Sequence, residues 1–141
     1  MNIDWRPATA ADVQILAHMN QHLIEDETGD SAPDTTSLRF RLHGWLTRGE
    51  MRASLFLHES TEVAYALWQD RGNDAFVRHF FVSREYRRLG VGRRAMEILE
   101  RDILPPRTIR LEVLHDNVRG REFWQSLGYV PFSLTLEKHR T

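Results

Sequence analysis

Six consecutive residues near the middle of the chain could bind a phosphorylated ligand: Arg87-Arg88-Leu89-Gly90-Val91-Gly92. The two glycines let the backbone turn tightly and bring its N–H groups near a ligand, because neither residue has a Cβ atom. A helix that begins directly after them would add unpaired N–H groups and a partial positive charge. The loop and its flanks carry several arginines and one opposing acid, namely Arg84, Arg87, Arg88, Arg93, Arg94 and Glu85. The pattern predicts a pyrophosphate site.

The flanking sequence predicts that this loop joins a strand to a helix. Residues 76–82 are mostly aromatic and β-branched, which is typical of a strand. In 93–102, Ala95, Ile98 and Leu99 recur at helical spacing. A plain glycine turn with solvated arginines is the simplest alternative. A dinucleotide fingerprint at 90–95, with Glu112 as its acid, fits less well because residues 83–89 separate the strand from the first glycine.

The loop resembles the pyrophosphate loop of the GNAT superfamily of acetyl-CoA-dependent acyltransferases, Arg/Gln-x-x-Gly-x-Gly/Ala between a strand and a helix. Residues 87–92 match each fixed position, and the resemblance extends through 117–129. It implies an α/β (α+β) fold. Its mixed, mostly antiparallel central sheet would have six to seven strands flanked by about four helices. We expect one domain, 1–141, which transfers an acetyl group from acetyl-CoA to a primary amine of a small molecule or peptide.

The resemblance also implies which residues hold acetyl-CoA. Backbone groups at the end of strand 76–82 would pair with the pantetheine arm, and the loop would hold the diphosphate. Asn117 matches an asparagine that contacts the arm, and it could equally be the N-cap of the helix that follows. The implied residues are Phe80, Phe81, Val82, Arg87, Arg88, Leu89, Gly90, Val91, Gly92, Arg93, Asn117, Phe123 and Trp124.

The catalytic groups are less well defined. A carboxylate common early on this strand in the family is absent, since Phe76 stands there. The candidate bases are therefore His79, then Glu112, then His115. Trp124 takes the position of the family's tyrosine acid, and an indole does not titrate usefully. We assign no general acid, and a CoA-binding sensor without turnover remains the alternative function.

Charge distribution bears on the acceptor. Residues 1–38 hold seven acids and one arginine, a net charge of −6, so the rest of the chain carries +5 within a total of −1. In the family the first two helices flank the acceptor, which makes Glu25, Asp26, Glu27 and Trp45 candidate contacts. The acids favour a cationic acceptor, although solvated acids and a core tryptophan would explain the same residues.

Composition excludes several classes of function. There are no cysteines, so disulfides and thiolate metal sites are excluded, and His18 and His22 lack a third ligand; we predict no metal. No apolar run approaches the ~20 residues of a membrane span, and no signal peptide is evident, so we expect a cytoplasmic protein. One compact arginine patch does not by itself indicate nucleic-acid binding. Exposed terminal strands would allow a homodimer.

Periodicity predicts the remaining elements. Thr9 should cap the first helix with Asp12 in its first turn, and 36–48 should form a second helix. Residues 53–58, 63–68 and 76–82 should form an antiparallel meander. The helical crossover should make 108–114 a parallel neighbour of 76–82. Residues 129–137 should add one or two strands.

Overall fold

The computed structural model describes residues 1–141. Its strands are β1 (Asp4–Pro7), β2 (Arg52–His58), β3 (Thr61–Asp70), β4 (Asp74–Val82) and β5 (Thr108–Leu111), and its helices are α1 (Val13–Thr28), α2 (Thr35–Thr47), α3 (Val91–Ile98) and α4 (Val118–Ser126). The helix α3 continues as a π-helical turn over Leu99–Ile103. None of the helices combines the length and apolarity needed to cross a bilayer.

The five strands form one sheet in the order β1-β2-β3-β4-β5. The first three pairings are antiparallel and the β4–β5 pairing is parallel, so the predicted mixed sheet and the predicted parallel pair are confirmed. The Thr9 hydroxyl accepts a hydrogen bond from the Ala11 N–H, and the Thr9 N–H donates to the Asp12 carboxylate, which confirms the predicted cap. That cap starts a short 3₁₀ turn that leads into α1.

The sheet separates two hydrophobic clusters. On one face α1 and α2 cover β2, β3 and β4, with Leu16 and Leu42 completely buried. On the other face α3 covers the sheet with Ala95 and Met96, and α4 packs against its margin. The four helices agree with the predicted number.

The predicted count of six to seven strands is wrong, because residues 130–141 form no strand. Val130, Phe132, Leu134 and Leu136 alternate as strand residues do, yet each is at least 73% exposed. The backbone of this segment makes no hydrogen bond within the chain. Alternating apolar residues indicate only a local preference for extended backbone, whereas a strand also needs a hydrogen-bonding neighbour. Strand β5 has only four residues and therefore offers little edge for a further strand.

Candidate active site

A gap opens between the two parallel strands. Register pairs join β4 to β5 only from Asp74 to Val77, so the rest of β4 has no neighbour on that side. The closed end is fixed by the buried Asp74 carboxylate, which accepts hydrogen bonds from Arg71 at 2.7 Å and from Arg110 on β5 at 3.2 Å. The hydrogen bond from Arg71 is the main cause that lowers the pKa of Asp74. The strands are thus joined at one end and free at the other.

A β-bulge lies where β4 leaves β5. Leu67 pairs with His79 and Trp68 pairs with Val77, which leaves Arg78 without a partner on β3. An extra residue of this kind bends a strand and changes the direction of its side chains. It explains why β4 separates from β5 at this point.

Alternation along β4 determines which backbone groups face the gap. The Ser83 N–H donates to Val63 O on β3 at 2.8 Å. Because successive residues of a strand direct their backbone groups to opposite sides, Phe80 and Val82 direct theirs away from β3. The Val82 carbonyl accepts a hydrogen bond from Arg87 Nε at 3.0 Å. Phe81 directs its backbone to β3, and its side chain is buried beside Tyr65.

The loop after β4 presents unpaired N–H groups. Gly90 has a φ of +81°, which glycine adopts without strain, and α3 begins at the next residue. The first hydrogen bond of the helix runs from Arg94 N to Gly90 O, and the N–H groups of residues 90–93 have no partner in the protein. Such a helix N-terminus, preceded by an arginine-rich loop, is suited to an anion.

The arginines of the loop divide into two groups. Arg84 and Arg87 hold Asp26 of α1, at 2.9 and 2.6 Å. Burial raises the pKa of Asp26 and the two guanidinium groups lower it, with a net value below the usual range. Arg93 reaches the Ser126 hydroxyl at 3.3 Å, and Arg88 has no ion pair. Arg88 and Arg93 are the cations free to meet an anion here.

Aromatic side chains form the wall of the gap next to α4. Phe123 stacks on Phe80 with ring centroids 6.2 Å apart, and Trp124 contacts both rings edge-on. A Cβ atom on Gly92 would lie 3.2 Å from the Phe123 ring, so the second glycine permits close packing of α3 on α4. Asn117 caps α4 by accepting a hydrogen bond from Gly120 N–H at 3.0 Å, as predicted.

The candidate bases occupy different environments. His79 lies between Trp45 and Tyr65, and its Nδ1 is 3.2 Å from the Tyr65 hydroxyl. Burial, with nearby Arg41 and Arg78, lowers the pKa of His79 from 6.5 to about 3. The strand predicted over 108–114 ends at Leu111, so Glu112 and His115 both lie beyond β5, and both are exposed. Tyr65, Arg41 and Arg78 were not predicted as site residues. Arg78, the bulge residue, interrupts the apolar run of β4, and that interruption is the one feature of the sequence that could have indicated it.

The whole chain was compared with known proteins. A family model described as the acetyltransferase (GNAT) family matches residues 17–129. The chain belongs to the GNAT acetyltransferase family. The curated proteins contain no match to the sequence. Among solved structures, a possible acetyltransferase from Clostridium difficile 630 is 20% identical with a TM-score of 0.76, over 100% of this chain and 99% of that one.

Two further similar structures hold CoA or acetyl-CoA. The aminoglycoside N-acetyltransferase AAC(6')-Iy in complex with CoA is 12% identical, with a TM-score of 0.77 over 99% of this chain and 95% of that one. A predicted acetyltransferase from Clostridium acetobutylicum with acetyl-CoA is 16% identical, with a TM-score of 0.71 over 98% and 96%. At these identities the likeness establishes the GNAT fold.

Proposed function

We propose that this GNAT protein transfers an acetyl group from acetyl-CoA to a primary amine of a small molecule or peptide by direct attack, as one domain spanning 1–141. One observation carries the proposal: the open end of β4 leads directly to the unpaired N–H groups of residues 90–93. A hydrogen-bonding gap and an anion site thus follow one another along the chain, as the arm and diphosphate of CoA require.

The diphosphate would accept hydrogen bonds from residues 90–93, with Arg88 and Arg93 as its counter-charges. The pantetheine amides would pair with the free backbone groups of Phe80 and with the Val82 N–H, since the Val82 carbonyl already accepts from Arg87. The aromatic wall of Phe123 and Trp124 would cover the arm. The remaining proposed contacts are Phe81, Arg87, Leu89, Val91 and Asn117, of which Arg87 would have to exchange or share its contact with Asp26.

In the reaction the amine nitrogen attacks the thioester carbon, and its lone pair forms the new C–N bond. Charge develops on the carbonyl oxygen, where one backbone N–H of β4 would stabilise it by about 3 kcal/mol. The C–S bond then breaks and its electron pair leaves with sulfur. A thiol has a pKa of roughly 8.5, so the thiolate can leave without an acid from Trp124.

An amine also has to lose a proton. His79 and Glu112 remain our candidates for the general base. With a pKa of about 3, His79 is a weak base. If the buried Tyr65 hydroxyl donates to Nδ1, the neutral ring carries its proton on Nε2 and donates there. His79 would then act through water or by orienting the acceptor. The same observation supports the alternative function, a CoA sensor without turnover.

Calorimetry with acetyl-CoA, followed by a thiol-release assay over a panel of amines, tests the proposal. The chain has no cysteines, so every thiol detected comes from the cosubstrate. Binding with thiol release supports the transferase, and binding without release supports the sensor. The double variant Arg88→Ala/Arg93→Ala should abolish acetyl-CoA binding. Arg52→Ala, which removes an exposed arginine of β2, should leave binding unchanged. Absence of binding to the wild-type protein at millimolar acetyl-CoA would refute both functions.

A further inference from the structure

Two arginines flank one tryptophan on the α1–α2 side of the bulge. Arg41 of α2 and Arg78 of β4 place their guanidinium carbons 5.0 and 4.9 Å from the centroid of the Trp45 ring. The His79 ring stands edge-on to the same indole at 6.2 Å. We call Arg41, Trp45, Arg78 and His79 the Trp45 cluster.

The two cations of this cluster have no anion. Neither arginine forms an ion pair, although most other arginines near the site do: Arg84 and Arg87 hold Asp26, and Arg110 holds Asp74. Arg41 is fixed by a hydrogen bond to the buried Asn20 Oδ1 at 3.1 Å. Glu27 is the nearby acid whose charge acts on the Tyr65 hydroxyl, and it pairs with neither arginine.

The two guanidinium groups repel each other, although both side chains are exposed to solvent. Burial lowers the pKa of Arg41, and the charge of Arg78 lowers it further. Both arginines also lower the pKa of His79, although burial is its largest cause. A negative charge placed near both guanidinium groups would offset that repulsion.

The position of the cluster relates it to the transferred group. Arg78 is the bulge residue of β4, and Phe80, which directs its backbone into the gap, is two residues further along. On the proposed function the thioester carbonyl lies against that backbone, so an acceptor approaching from α1 and α2 passes the guanidinium groups.

We propose that the Trp45 cluster binds a carboxylate of the acceptor, so that the substrate is an amine that carries a carboxylate a few bonds from its nucleophilic nitrogen. Arg41 and Arg78 would donate to the carboxylate oxygens, and Trp45 would hold both planar guanidinium groups in place. This inference rests on the proposed function. It reverses the expectation of a cationic acceptor, because Asp26, the central acid of the 25–27 group, is neutralised by Arg84 and Arg87.

Matched substrates isolate the carboxylate. Thiol release is measured for β-alanine against β-alaninamide and for alanine against alaninamide, at equal ionic strength. A peptide with aspartate beside the amine is compared with its asparagine form, which distinguishes a small amino acid from an acidic peptide. We expect kcat/KM to favour the carboxylate member by about tenfold or more, as a charge-assisted pair implies. Arg41→Ala and Arg78→Ala should remove that preference, and Arg78→Glu should reverse it.

Arg52→Ala is the matched control, because Arg52 also stacks on a tryptophan, Trp68, at 5.5 Å. It should leave the preference unchanged. Equal kcat/KM within each pair, or a preference for the amides, would overturn the inference while the transferase function stands.

If acetyl-CoA binds but no amine is turned over, the transferase function fails and the cluster is tested by binding alone. The indole N–H resonance of Trp45, assigned with Trp45→Phe, is followed by NMR in a titration with β-alanine and with β-alaninamide. A shift caused by β-alanine alone supports a carboxylate site, and its loss in Arg41→Ala locates that site. Absence of a carboxylate-specific shift refutes it.

Discussion

Replacement of Gly90 by aspartate or asparagine separates charge from shape at the proposed diphosphate site. Gly90 has a φ of +81°, and a Cβ atom there would meet nothing within 4 Å. Aspartate and asparagine tolerate this backbone conformation better than other residues and are nearly equal in size. The two variants therefore share any backbone strain and differ by one negative charge at the N-terminus of α3.

The expected effects on affinity and on stability have opposite signs. A carboxylate about 5 Å from one phosphate charge is repelled by about 1 kcal/mol in bulk water and about 3 kcal/mol at an effective dielectric constant of 20. Gly90→Asp should thus bind acetyl-CoA about 5- to 150-fold more weakly than Gly90→Asn. The same charge should stabilise the fold by about 0.3–1 kcal/mol, because it faces the positive end of the helix dipole.

Calorimetry with acetyl-CoA and urea unfolding of both variants measure these two quantities. The control is the same pair of substitutions at Gly72, which has a φ of +87°, open space around its Cβ position and a location at the opposite end of β4. Gly72→Asp and Gly72→Asn should bind acetyl-CoA equally well. Equal affinity of Gly90→Asp and Gly90→Asn would mean that no diphosphate lies at the start of α3.

Three further predictions concern other parts of the structure. His79 has a pKa of about 3 in the fold against an ordinary value of 6.5, so between these values the unfolded chain binds a proton that the native chain does not. The free energy of unfolding should therefore fall as the pH drops below 6.5. In urea unfolding at about pH 4–7, His79→Gln should make this free energy depend less on pH. An unchanged pH dependence in His79→Gln would contradict the lowered pKa of His79. Alanine usually stabilises a helix by about 1 kcal/mol relative to glycine, but Gly92→Ala should give less, because its Cβ atom would lie 3.2 Å from the Phe123 ring. Adding Phe123→Leu should relieve that contact. Urea unfolding measures both effects, and the full ~1 kcal/mol gain in the single variant would refute this packing role. We also expect a homodimer in which segment 130–137 pairs with a second copy. A chain that ends at Tyr129 should then be a monomer by light scattering. An unchanged dimer would exclude this segment from the interface.

Features encoded within short stretches could be predicted from the sequence. The cap at Thr9 and the glycine at position 90 depend on side chains and backbone preferences a few residues apart. The parallel pairing of β4 and β5 follows from the handedness and length of the connection between them. Local chemistry determines the first two features, and the topology of the connection determines the third.

Features that join distant parts of the chain were not predicted. Arg84 and Arg87 meet Asp26 across 58 and 61 positions, so the arginines assigned to a ligand were partly occupied by α1. The bulge at Arg78 results from the register of β4 against β3, and periodicity within one strand does not specify register. The strand expected in 129–137 had the correct pattern but no neighbour in its own chain.

On the proposed transferase function, the contact of Asp26 with the loop would couple the binding of the two substrates. Asp26 belongs to α1, on the acceptor side, whereas Arg84 and Arg87 belong to the loop proposed for the diphosphate. If a diphosphate draws Arg87 away from this carboxylate, occupancy of one half of the site changes the free energy of the other. Linkage requires the effect to be reciprocal: the factor by which acetyl-CoA changes acceptor affinity equals the factor by which the acceptor changes acetyl-CoA affinity. Asp26→Asn should bring that factor closer to one.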